Sequence, residues 1–229
     1  IGKISDAFMC EEINNLVFNI EGLSHLQPGT PIAFSDKLNI EDDLISAQLD
    51  NVISAAMIIY LYQNGFQGTA FFTAQEEAGK SWRYVYEWFK KNNITTNELL
   101  VLDTSPYDTR LEADVQQVVL RNRDVNARFK SPILKQLKNF CHKNKIDFSC
   151  KDTFIQEKNK VRKEKNLPLL TLGSTELGRI VMESKGSIQG TTLQIPTTGY
   201  HTVEETASIK AVKAILYILS SFYIDNKKA

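Results

Sequence analysis

Two adjacent acids, Glu76 and Glu77, close the apolar part of "GTAFFTAQEEAGKSW" (68–82), and three more side chains able to bind metals fall at comparable places. Asp50 follows "LISAQL", Asp103 follows "ELLVL", and His201 lies in the loop after "TTLQIP". Each stretch reads as a strand, and in an open α/β sheet ligands sit outside the carboxyl ends of the strands, where the loops enclose a crevice. Acids crowded there repel one another and shift to the neutral form unless a cation holds them charged. Oxygen-rich sites with one imidazole suit zinc, cobalt or manganese, and a shared Asp can bridge two ions about 3.5–4 Å apart. Taken singly, each residue has an ordinary structural account. Asp50 could cap a helix, Glu76 and Glu77 could be first-turn acids, Asp103 could start a turn, and His201 could be a satisfied histidine. Their common position at strand ends favours the joint reading.

Neighbouring residues in a turning segment point in different directions, so Glu76 and Glu77 are not expected to ligate the same ion. One binds the metal while the other faces the bound water and takes its proton. That division suits metal-assisted hydrolysis, which needs a Lewis acid and a positioned general base.

The elements that must position these groups alternate in type. "TPIAF" (30–34) and "LISAQL" (44–49) read as short strands. "NVISAAMIIYLYQNG" reads as a helix, apolar almost all round and buried against a sheet, stopped by Gly65. "GTAFFTA" reads as a central strand covered on both faces. A helix of the "WRYVYEWFKKNN" type and the strand "ELLVLD" follow, then a strand in "QQVVLRNRD" (116–124). "SPILKQLKNFCHKNK" is expected to be a helix capped by Ser131 with Pro132 at its first position. "IDFSCKD" reads as a strand, and the charged "IQEKNKVRKEKN" as a solvated loop or helix face. A short helix in "TELGRIVMESKG", a strand in "GTTLQIP" and a long closing helix over "VEETASIKAVKAILYILSSFY" complete the chain. The fold class is α/β, with a mainly parallel central sheet and helices on both faces.

Composition bounds the rest. The chain has 229 residues, 42% of them hydrophobic, enough for one full core or a main core with a small appendage. Its 27 basic and 27 acidic residues cancel, so no overall electrostatic footprint for nucleic acid or an anionic membrane exists. Cys10, Cys141 and Cys150 form no CxxC, which suits reduced thiols in a cytoplasmic protein. No apolar run approaches the ~18 residues of a membrane span. The opening "IGKISDAFMCEE" reads as the middle of a strand, as if the sequence were part of a longer chain.

The motifs "AQLDN", "FFTAQEEAG", "LVLDTSP" and "GYHTVEE", in that order and spacing, resemble the co-catalytic zinc aminopeptidases related to the tetrahedral, glutamyl and deblocking aminopeptidases. The resemblance runs from about Gly22 to Tyr223. It implies that Asp50 bridges two metals, Glu76 is the general base, Glu77 and His201 ligate one ion, and Asp103 ligates the other. It also implies a cis peptide between Asp50 and Asn51 and a remnant of a small β domain. The expected division is thus 1–43, with part of that β domain, and 44–229, the catalytic α/β domain. The family's remaining ligand is a His in an HxD motif upstream of the bridging Asp, and no HxD occurs in this sequence. His25 is expected to be structural and His142 to lie at the surface. Valine follows Asn51 and Gly199 precedes Tyr200, where many relatives have Arg.

The expected activity is metal-dependent removal of N-terminal residues from peptides, with zinc, cobalt or manganese as cofactor, one or two ions per chain. The expected partners are a peptide substrate and further copies of the chain in a homo-oligomer, with neither nucleic acid nor membrane. Two other readings stay open: a non-catalytic relative acting as a binding or assembly module, and a related zinc carboxypeptidase or amidohydrolase.

Overall fold

The protein is described by a computed structural model over residues 2–12, 14–27 and 38–224. The expected strand at 30–34 lies outside the described residues. The chain forms two compact units, Ile1–Lys37 and Leu38–Ala229. In the first, β1 (Lys3–Cys10) and β2 (Asn15–Glu21) make an antiparallel pair, with Lys3 opposite Glu21 and Cys10 opposite Asn15.

The second unit begins with β3 (Asn39–Glu41), β4 (Leu44–Ala47), α1 (Val52–Gln63), α2 (Ser81–Lys91) and β5 (Thr96–Pro106). It continues with α3 (Arg110–Asp114), β6 (Val118–Leu120), α4 (Pro132–Lys143), β7 (Phe148–Cys150) and α5 (Lys151–Glu164). It ends with α6 (Glu176–Glu183), β8 (Ile188–Thr198), β9 (Glu205–Ser208) and α7 (Ile209–Tyr223). The sheet runs β3-β4-β9-β8-β6-β7, with β5 paired to β8. Period-two alternation places helices on both of its faces. Val118 and Leu120 pack in the main core with Leu137 of α4 and Ile215 and Ile218 of α7. Val119, between them, turns to Ala113 of α3 and Phe154 of α5.

The α/β class holds, but the sheet is mixed rather than mainly parallel. β5 and β8 are parallel, as are β6 and β7, while the other four pairings are antiparallel. The connections explain this. Parallel neighbours need a crossover of a dozen or more residues, and the links from β3 to β4 and from β8 to β9 are far shorter. For the same reason the start of the expected closing helix is a strand. Residues 205–208 pair with β4 and β8, and α7 begins only where the Ser208 side chain accepts from Ala211 N–H.

Two further expectations differ. "GTAFFTA" joins no sheet and is largely exposed, because no strand among the described residues lies beside it to complete a ladder. α1 is not buried all round. Ile53, Met57 and Leu61 face the core while Val52, Ile59 and Tyr60 are exposed, since one helix can press only one stripe against a sheet. The charged segment from Ile155 takes the helical one of its two expected forms, held by Lys151, Asp152 and Ile155 buried in α5. Ser131 caps α4 as expected, its hydroxyl accepting from Ile133 N–H behind Pro132 at the first turn. Among the described residues no helix is long and apolar enough to cross a membrane.

The longest ladder, β5 with β8, depends on Gly190. A Cβ there would lie 2.0 Å from the carbonyl oxygen of Leu99 on the paired strand. Gly190→Ala is therefore expected to lower stability by about 1–3 kcal/mol, through forced displacement of packed backbone, measured by urea denaturation. An unchanged midpoint would show that β5 gives way without cost.

Candidate metal centre

Asp50 stands in the turn between β4 and α1, Glu76 and Glu77 in the turn ahead of α2, Asp103 on β5, and His201 in the loop from β8 to β9. Left-handed backbone at Gln75 (φ 66°) and at His201 (φ 58°) redirects both turns at the residues concerned. The peptide bond from Asp50 to Asn51 is cis. The Asp50 backbone N–H donates to Glu205 Oε2 at 2.9 Å, and Thr197 Oγ1 donates to Glu205 Oε1 at 2.7 Å. Glu205, 1% exposed on β9, thus anchors the Asp50 turn.

His201 Nε2 lies 3.1 Å from Glu77 Oε1 and 3.7 Å from Asp50 Oδ2. The three residues each present one ligand atom, and these atoms lie within 4.8 Å of one another. Two donors on one tetrahedral zinc, each bonded at ~2.0–2.2 Å, sit roughly 3.3–3.5 Å apart, so this donor set fits a single divalent ion. The Tyr200 ring stacks on His201 with centroids 3.7 Å apart, which fixes the imidazole plane. Glu76 is outside the trio. Asp103 is also outside it, and both its oxygens already accept hydrogen bonds. Oδ1 takes the Thr104 N–H at 2.8 Å and Oδ2 takes Gln194 Nε2 at 3.0 Å. Gln194 Nε2 also donates to the Thr104 carbonyl, while its Oε1 accepts from buried Arg121 Nε at 2.9 Å. His25 and His142 are exposed and take no part in the cluster.

The electrostatics are those of an acid cluster in which burial and mutual repulsion outweigh the nearby countercharges. Burial, then the charges of Glu205 and Glu77, push the Asp50 carboxyl up to about 6 against a smaller opposing pull from His201. Burial, then the charge of Asp50, push Asp103 up to about 7. Glu76 is raised by partial desolvation and by Glu176, Glu77 and Asp50, with Arg179 opposing. Sequence reasoning missed Glu205, Gln194, Arg121 and Tyr200. Glu205 and Tyr200 stand inside the motif "GYHTVEE", but the expected helix there hid the strand that aims Glu205 inward. Gln194 and Arg121 gave no signal, because neither is an acid or an imidazole at a strand end.

No family model matches the sequence, and no curated protein does. Solved structures do share its fold. A TET aminopeptidase from a marine-sediment thaumarchaeon aligns with a TM-score of 0.59 at 16% identity, covering 82% of this chain and 52% of that one. The TET1 peptidase of Pyrococcus horikoshii, which can assemble into a tetrahedron or a large octahedral shell, aligns at 0.57 with 14% identity, covering 97% and 74%. Aminopeptidase I of Clostridium acetobutylicum aligns at 0.52 with 11% identity, covering 82% and 46%. The chain thus has the fold of these aminopeptidases and spans about half the length of two of the three.

The raised carboxyls set a sign for pH. With folded values of about 6 and about 7, against ordinary values near 4, the folded state binds more protons than the unfolded chain across roughly pH 4–7. The contribution of these groups to stability therefore falls as pH rises through that window. The chelator-treated protein should melt at a higher temperature at pH 5 than at pH 8, and Asp103→Asn should flatten the upper part of the slope. A melting temperature that instead climbs steadily from pH 5 to 8 would contradict the cluster's electrostatics.

Proposed function

We propose that this chain is a metal-dependent aminopeptidase acting on peptides as a cytoplasmic homo-oligomer. The observation that carries the reading is the meeting of His201, Glu77 and Asp50, at 3.1 and 3.7 Å, with Glu76 beside them and outside the ligand set. Asp50, Glu77 and His201 would hold the ion, zinc or else cobalt or manganese. When bound, it supplies Lewis-acid polarisation of the scissile carbonyl and of the attacking water. Glu76 accepts the water proton on its carboxylate and returns it to the departing amine. Its raised pKa brings it nearer the operating pH, as a base that must also release its proton requires. Glu205, with Thr197, holds the Asp50 turn in place, and Tyr200 keeps the imidazole oriented. The surplus of acids favours a peptide's terminal ammonium over its carboxylate, which supports an aminopeptidase rather than a carboxypeptidase.

Asp50 bridging to Asp103 would form the second metal position. Both Asp103 oxygens are already engaged and no imidazole joins them, so a second ion binds far more weakly than the first.

Zinc titration by calorimetry with bound-metal analysis should find one tight ion per chain, and a panel of aminoacyl chromogenic amides should be hydrolysed. Glu76→Gln should keep the ion and lose about 10²- to 10⁴-fold in rate, whereas Glu77→Ala should lose the ion. The reverse pattern would exchange base and ligand. Tight metal without turnover of any amide would favour the non-catalytic binding module.

A further inference from the structure

β5 carries Leu99, Leu100, Val101 and Leu102 in succession. One of its edges pairs with β8, and no second strand pairs with it among the described residues. On the free edge Asn51 Nδ2 donates to the Leu102 carbonyl at 2.8 Å. Because backbone groups alternate along a strand, the N–H and carbonyl of Leu100 share that edge. A cavity of about 980 Å³ borders these residues, and residues 68–73 form its opposite wall.

Segment 68–74 is matched to the free edge in direction, connection and pattern. Its first residues lie toward the start of β5. The Tyr62 hydroxyl donates to the Gly68 carbonyl at 2.7 Å, and the Phe66 ring meets Tyr223, which lines the cavity together with Glu98. Its last residues lie toward Asp103, since Thr73 Oγ1 reaches Glu176 at 3.4 Å and the charges of Glu76 and Asp103 interact. The two stretches thus run in the same sense on either side of the cavity. Parallel neighbours need a crossover of a dozen or more residues, usually a helix, and 75–95 with α2 supplies one. The faces agree as well. Phe71 and Leu99 already pack with Val85 and Phe89 of α2, and the Phe71 ring centroid is 5.0 Å from that of Trp88. By period two, Phe72 belongs on the other face with Leu100 and Leu102, which join the core that contains Met57 and Leu61, yet Phe72 is 58% exposed.

The turn that ends the segment carries Glu76 and Glu77 toward Asp50 and Asp103, and the mutual repulsion of these acids opposes a closer approach. A divalent ion held by Asp50, Glu77 and His201 removes that opposition and fixes the chain three residues beyond Ala74.

We propose that binding of a divalent ion at Asp50, Glu77 and His201 draws 68–74 onto the free edge of β5 as a parallel strand, a strap that closes when the centre fills. Phe72 then enters the cavity beside Leu100 and Leu102, and the space that remains lies at the carboxylate end. The inference rests on the metal-centre reading and needs no turnover.

The test uses the full chain, chelator-treated or saturated with zinc, with ion binding followed by calorimetry. Zinc should slow residue-resolved amide exchange by about tenfold or more at Leu100 and at alternate residues of 69–73, beyond the slowing at β6, which reports general stabilisation. Coupling is reciprocal, so Phe72→Asn, which alters no ligand, should weaken zinc binding about tenfold and abolish the added protection. Phe72→Leu, still apolar, should retain both. Zinc binding without added protection at Leu100 would overturn the strap and leave the metal centre standing. Protection at Leu100 without protection in 69–73 would mean that other residues cover the edge, and Leu100 already protected after chelator treatment would mean that no ion is needed; either overturns the proposal. An unchanged zinc affinity in Phe72→Asn would do the same. Failure of the chain to bind zinc would overturn the strap and the metal-centre reading together.

Discussion

The hydrogen-bond ladders of β8 fix the positions of nearly everything else in the larger unit. β8 pairs with β5 in parallel over most of its length, with β6 at Leu193 and Gln194, and with β9 at Thr197 and Thr198. Its close approach to β5 is possible because residue 190 has no side chain. From this one strand Gln194 reaches Asp103 and the Thr104 carbonyl, Thr197 reaches Glu205, and Tyr200 and His201 follow in the next loop. A shift of register by one residue would send each of these groups to the opposite face.

That scaffold forces like charges together. Asp50, the adjacent Glu76 and Glu77, and Asp103 approach from two turns and a strand, and burial raises the cost of ionising Asp50, Glu76 and Asp103. Among the carboxyls with a resolved shift, His201 offsets this for Asp50 and for Glu205. Buried Arg121 is linked to the cluster by hydrogen bonds through Gln194, a neutral side chain that orders Asp103, and its charge also interacts with that of Asp103. Such an arrangement is costly for a protein with no cation to bind there and well suited to one that has.

Much of this was legible in the sequence, and the failures have physical causes. The positions of Asp50 and His201 beyond strand ends could be read because apolar runs stop abruptly before polar residues, whereas Asp103 lies inside β5, which continues to Pro106. The Ser131 cap could be read because its chemistry is local. The direction of strands could not, since alternating apolar segments look alike in either orientation and only connection length distinguishes them. "GTAFFTA" has the composition of a central strand, but composition does not supply the neighbour against which a strand must pair. Glu205 was read as part of a helix, because "VEETASIKAVKAI" keeps a helical apolar spacing that begins at Val203, six residues before the helix does. Gln194 escaped notice since its role depends on two partners more than 70 residues distant.

An unpaired strand edge ordinarily invites aggregation, because any second strand can lie along it. On β5 that edge borders a cavity of about 980 Å³ that residues of α1 and α2 also line. Any second strand that lay along it would also have to fit against side chains of α1 and α2, so the fold restricts what can pair there instead of leaving the edge open.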